Sequence, residues 1–105
     1  MEIKQIYEKM QEECAWDYMF RQLAEECSEL SQAALKLVRS VNGETPVHPI
    51  EARAKYLEEM ADVMVMLDLA IEETNLYEIS GIEKTIKDKM FRMMERLENG
   101  NAQAG

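Results

Sequence analysis

Five acidic residues in two short runs have the spacing of a metal site. Glu25, Glu26 and Glu29 fall in AEECSEL, and Glu59 and Asp62 fall in LEEMADVMVMLDLA. Residues three apart share one side of a helix, so Glu26 with Glu29, and Glu59 with Asp62, each present a pair of carboxylates. Two such pairs on packed helices bring four oxygen ligands together. A hard divalent cation makes that arrangement tolerable, and all-carboxylate ligation suits Mg²⁺ or Mn²⁺ better than Zn²⁺. Without a cation the acids repel one another, and carboxylate pKa values are expected to rise.

The two runs differ in weight. Glutamate is a good helix former, and AEECSEL alone reads first as a solvated face. Asp62 is different, because the segment from Met60 to Ile71 is apolar nearly all round and is expected to be buried on most sides. A buried acid there needs a cationic side chain or a metal as partner. Asp68 raises the same question on another face. The only histidine, His48, lies between Pro46 and Pro49, and no Glu-x-x-His pair occurs. Both facts speak against a ferritin-type di-iron bundle. A glycine-rich phosphate loop, a nucleophile elbow and a Cys/His pair are all missing. If the chain is an enzyme, metal-activated water is the chemistry left. Trp16, Tyr18 and Phe20 precede the first acidic run, and read either as core and interface or as an apolar wall for a nucleobase.

These residues must be positioned by helices. Hydrophobic periodicity predicts a helix over 2–14 that continues or bends into 16–39, a second long helix over 50–76 and a third over 81–98. The segment SVNGETPVHP, residues 40–49, is the clear loop, and Pro49 suits a first helical turn. A second break is expected near residues 78–81, where Ser80 and Gly81 adjoin. On the first long helix Trp16, Met19, Leu23, Cys27, Leu30, Ala34, Leu37 and Val41 form one stripe, with Glu26 at its edge. On the second, Leu57, Met60, Met64, Leu67 and Ile71 make one ridge, and Val65, Met66 and Leu69 cover another side. The last helix carries Ile82, Ile86, Met90, Met93 and Leu97, with Lys89, Arg92 and Arg96 beside them. The expected fold is all-α, an antiparallel helix bundle with two long acidic-motif helices and a basic C-terminal helix. It occupies residues 1–98 as a single domain, with 99–105 as a flexible tail.

A chain of 105 residues, 47% of them hydrophobic, can build one small core, and oligomerisation is a natural way to bury more. Net charge is −9, from 12 basic and 21 acidic residues, which argues against generic binding to nucleic-acid backbones or anionic membranes. Cys14 and Cys27 form no disulfide framework and are expected to be reduced. The opening MEIKQIYEKMQEE is charged throughout, and the longest purely apolar run is Val63 to Leu67, so a cytoplasmic protein is the expectation.

Glu-Glu-x-x-Glu, a loop-containing gap and then Glu-x-x-Asp together resemble the MazG-like all-α nucleoside triphosphate pyrophosphohydrolases. The resemblance runs from about Trp16 to Leu97. WDYMFRQLAEECSELSQAALKLVR looks like the family's first motif helix, LEEMADVMVMLDLAIE like its second, and KMFRMMERL is similar to the basic C-terminal helix of short members. It implies a dimer or tetramer that hydrolyses a (deoxy)nucleoside triphosphate between the α and β phosphates. Glu26, Glu29, Glu59 and Asp62 match the metal-binding acids, with Glu25 and Glu26 in catalytic positions. Lys36, Arg39, Lys89, Arg92 and Arg96 lie where basic residues can face the phosphates, a looser correspondence because basic residues vary across the family; Trp16 and Phe20, just before the first acidic run, are placed for a base to stack. The gap over 40–57 is longer and richer in proline than in compact members, which leaves substrate preference open. Phosphoribosyl-ATP pyrophosphohydrolases share the helical plan and are the alternative enzyme class. A non-catalytic acidic helical binding protein is the alternative outside enzymes.

Overall fold

The computed structural model describes residues 2–13, 16–72 and 76–100, with the side chains of Tyr7, Gln11, Trp16 and Leu76 outside the description. It is all-helical: α1 is Ile3–Glu13, α2 Trp16–Val41, α3 Pro49–Glu72 and α4 Leu76–Glu98. Among the described residues there is no strand, and no helix is long and apolar enough to cross a membrane. The chain divides into two compact units, Met1–Glu72 and Glu73–Gly105.

The first unit is built on an α2–α3 hairpin. Met19 packs with Met66 and Leu69, Glu26 and Glu29 meet Glu59, and Ala33 shares a groove with Ala52. Partner numbers fall on α3 as they rise on α2, so the two helices are antiparallel. The hairpin's turn is set by local chemistry. Gly43 stands at φ 71° just after α2, in the left-handed region that favours glycine. The Glu44 N–H donates to the Arg39 carbonyl at 2.8 Å and the Gly43 N–H to the Ser40 carbonyl at 3.3 Å, which is a Schellman stop. Pro49 opens α3 as expected, because its missing N–H is one of the helix's unpaired donors anyway. His48 caps the same helix. Its carbonyl accepts from the Ala52 N–H at 3.0 Å, and its Nδ1 accepts from the Ile50 N–H at 3.1 Å.

The core differs in register from the sequence expectation. The inner face of α2 runs through Met19, Leu23, Glu26, Leu30, Ala33, Leu37 and Ser40, so Glu26, Ala33 and Ser40 stand where Cys27, Ala34 and Val41 were expected. Cys27 is exposed, and Val41 is 66% exposed. Cys14 lies outside the described residues. On α3 the buried residues are Ala52, Glu59, Val63, Met66 and Leu69. The anticipated ridge turns outward: Leu57, Met64, Leu67 and Ile71 are all exposed, with Met60 half-buried. Within the first unit the buried residues of α3 lie on one side. A helix apolar all round has no moment to choose its inner face, and the small pair Ala33 and Ala52, both buried near the turn, lets that side approach α2. Ser40 is tolerated inside because its hydroxyl donates to the Leu37 carbonyl at 2.8 Å. Met10 of α1, Leu23 and Ala70 close over Met19, Met66 and Leu69.

The second unit carries α4. The break expected near 78–81 is absent, since α4 starts at Leu76 and runs through Ser80 and Gly81. One glycine costs about 1 kcal/mol in a helix, too little to stop a run rich in Glu, Lys, Met and Arg. Ile82, Ile86, Met90, Met93 and Leu97 are exposed along one stripe. Of the anticipated tail, residues 101–105 lie outside the description.

The cap at His48 and the glycine stop at Gly43 predict measurable stability. His48→Ala is expected to lower unfolding free energy by about 1 kcal/mol in urea titration, and His48→Asn to retain it. Gly43→Ala is expected to cost about 1 kcal/mol although open space surrounds the new methyl, because the cost is in the backbone. Unchanged midpoints would contradict both roles.

Candidate metal centre

Glu26, Glu29 and Glu59 each offer one carboxylate oxygen, and these three oxygens lie within 4.8 Å of one another. Helix α2 supplies the first two from adjacent turns, and α3 supplies the third across the hairpin. Oxygens on one Mg²⁺ at about 2.1 Å are about 3.0 Å apart when adjacent and about 4.2 Å apart when opposite, so the three side chains would have to draw together to share one ion.

The three acids are held differently. The Gln22 Nε2 donates to Glu26 Oε1 at 3.2 Å from one turn earlier. The Lys55 Nζ pairs with Glu59 Oε1 at 2.9 Å, also from one turn earlier, and stands 3.9 Å from Glu58 Oε1. The second oxygens of both acids, Glu26 Oε2 and Glu59 Oε2, are buried and accept no hydrogen bond. Burying an oxygen of that kind is costly unless something meets it. Glu59 is only 5% exposed, so its free oxygen cannot turn to bulk water. Two orphaned carboxylate oxygens beside a third carboxylate fit a hard divalent cation, and the cluster among the described residues holds no nitrogen or sulfur donor to draw zinc.

The charges respond as this geometry dictates, though not all in the anticipated direction. Glu29's carboxyl is pushed above its usual value, first by the charge of Glu26, then by desolvation, then by Glu59, with Glu25 adding. Glu59 goes the other way. The hydrogen bond from Lys55 holds its carboxyl below the usual range against the effect of burial, with Glu29 and Asp62 also making side-chain contacts. Lys55 is raised in turn, chiefly by that same hydrogen bond.

Asp62, expected to be the buried acid, is exposed, and Glu59 is the buried one. The inward face of α3 passes through 59, 63 and 66, which leaves 62 at its rim, touching Glu59. Asp68 is exposed as well. Glu25 is exposed on the neighbouring face and acts on Glu29 through its charge. Lys36 and Arg39 do stand beside the acids. With Glu29, Gln32, Ala33, Leu35, Lys55 and Glu59 they line an open groove of about 580 Å³, large enough for a small-molecule ligand. Lys89, Arg92 and Arg96 belong to the second unit, where they and Met93 line a shallow hollow of about 220 Å³. Phe20 is 38% exposed and does not line the groove of the acids. Trp16 opens α2, and its side chain lies outside the described residues.

Sequence reading missed Gln22 and Lys55. Each sits four residues before an acid it holds, a spacing that puts two side chains in contact on one helix face. That signal is present in QLAEE and in KYLEE, but short polar pairs of this kind are common on any solvated helix.

The raised carboxyl of Glu29 gives a prediction with two signs. A carboxylate whose folded pKa exceeds its unfolded one destabilises the fold above that folded pKa, and the penalty vanishes as pH falls below the unfolded value. At pH 7.5 (about three pH units above the ordinary value), Glu29→Gln is therefore expected to raise the metal-free Tm. The same variant is expected to abolish the Tm rise that millimolar Mg²⁺ gives the parent. The parent's Mg²⁺ response should fade as pH drops through Glu29's raised pKa. Differential scanning fluorimetry reads all three, and a Mg²⁺ response that survives Glu29→Gln would remove Glu29 from the site.

No protein-family model, curated protein or solved structure matches this chain.

Proposed function

We propose that this chain is a Mg²⁺-dependent nucleotide pyrophosphohydrolase of the MazG-like all-α kind. It would split a (deoxy)nucleoside triphosphate into the monophosphate and pyrophosphate, with Mn²⁺ able to replace Mg²⁺. One observation carries the reading: Glu26 and Glu59 each keep a buried, unpaired carboxylate oxygen in one acid cluster, and Glu29 and Glu59 of that cluster line a groove with Lys36, Arg39 and Lys55. A site that joins metal-binding acids to cations suits a ligand that is itself polyanionic and metal-bound, as a nucleoside triphosphate is.

In this reading Glu26, Glu29 and Glu59 would hold the ion, with Asp62, beside Glu59 at the rim, as the fourth acid. When bound, the ion supplies neutralisation of phosphate charge and a more acidic water. Gln22 keeps one oxygen of Glu26 fixed, so the other keeps its direction. Glu25, beside Glu29 but outside the oxygen cluster, is free to accept a proton from the attacking water. Lys36 and Arg39 bind phosphate oxygens and retain the leaving pyrophosphate. By the family resemblance Lys89, Arg92 and Arg96 would bind phosphate, and Trp16 and Phe20, which precede the first acidic run, would offer a stacking surface for the base. A second copy of the chain, as a homodimer or homotetramer, is the partner that the exposed apolar residues Leu57, Met64 and Leu67 of α3 favour.

The test is pyrophosphate release from a panel of (deoxy)nucleoside triphosphates and phosphoribosyl-ATP in Mg²⁺. Turnover of at least one triphosphate is expected, with Glu59→Gln losing about a hundredfold or more in kcat. Activity on phosphoribosyl-ATP alone would move the chain to the histidine-pathway class of pyrophosphohydrolase. An intact helical fold with neither turnover nor metal binding would mark a non-catalytic binding protein.

A further inference from the structure

Lys55 occupies an unusual position. Its ammonium is bonded to the most buried acid of the cluster, yet its own side chain is 58% exposed. It lines the groove of about 580 Å³ beside the acids and also a neighbouring groove of about 440 Å³, with Ala33 and Lys36 as the other residues common to both. Its second carboxylate neighbour, Glu58, is 3.9 Å away and 67% exposed, too loosely placed to retain it. A lysine is a point charge on a flexible stem, able to reach several oxygens without moving its backbone.

Charge balance then sets what happens as the site fills. Three carboxylates with one ammonium leave the cluster with surplus negative charge. A divalent ion on the unpaired Glu59 Oε2 would remove that surplus and draw on the carboxylate charge that Lys55 holds through Oε1. The ammonium is left with a weakened partner and an open groove that already contains Lys36 and Arg39.

We propose that Lys55 is an exchangeable counterion: it holds Glu59 while the cluster lacks a metal ion, then releases it to the ion and pairs with the anionic oxygens of a polyphosphate in the groove. The inference rests on the metal-site reading above and adds an order to it, ion before polyphosphate. It also gives the protein a reason to keep a lysine where a metal must bind. The ion pair limits repulsion among the acids before the ion arrives, at the cost of some metal affinity.

Calorimetric titration with Mn²⁺ alone, then of the Mn²⁺-loaded protein with inorganic pyrophosphate, tests both halves. Lys55→Met is expected to bind Mn²⁺ about tenfold more tightly than the parent and then to bind pyrophosphate about tenfold more weakly. Lys55→Arg, which keeps the charge, is expected to stay near the parent in both titrations, and circular dichroism checks that each variant is folded. Tighter Mn²⁺ binding with unchanged pyrophosphate binding would make Lys55 a fixed partner of Glu59 and overturn the exchange. Weaker pyrophosphate binding with unchanged Mn²⁺ binding would make it a simple groove cation and overturn it equally. A parent protein that takes up no Mn²⁺ would remove the metal site itself, and the exchange with it.

Discussion

The burial of one carboxylate, that of Glu59, organises the first unit. It sits in the α2–α3 seam between Ala52 and Val63, where an apolar residue would ordinarily pack. Its neighbours across the seam are two more acids rather than cations. An arrangement of that kind is stable only with positive charge nearby, and Lys55 supplies the first of it at 2.9 Å. The orphaned oxygens of Glu26 and Glu59 show where more is wanted. The seam is thus split by function, with Met19, Met66 and Leu69 packing one end and the carboxylates occupying the middle.

The rest of the unit keeps those acids in register. Glu26 and Glu59 face each other only if the hairpin closes at one length, and that length is fixed by the glycine stop at Gly43 and by His48 and Pro49 at the start of α3. Ala33 and Ala52 allow close approach between the turn and the acids. Gln22 and Lys55 each reach forward one helical turn to an acid, so the acids and the side chains that hold them come from the same two helices.

Much of this was legible in the chain. The two acidic runs, the loop before Pro49 and the all-helical character follow from spacing and from the few helix breakers. The choice of buried acid was not. Asp62 looked buried because it lies among Val65, Met66 and Leu69, but on a helix apolar on every side composition does not say which face turns inward. One step around the helix makes Glu59 the inner residue and leaves Asp62 at the rim. A shift of the same size put Glu26 into the α2 seam in place of Cys27. The groove was illegible for another reason, since Lys36 and Arg39 of α2 meet Lys55 of α3 only through tertiary packing. Gly81 misled in the opposite sense, as a break signal too weak to interrupt α4.

The most direct test of the metal centre is a crystal structure of the protein soaked in millimolar Mn²⁺, read by anomalous scattering. The account predicts a peak at about 2.1–2.2 Å from carboxylate oxygens, with Glu26 Oε2 and Glu59 Oε2 among its ligands and Glu29 completing the set. An anomalous map empty between these three residues, with both oxygens still unpaired, would contradict it.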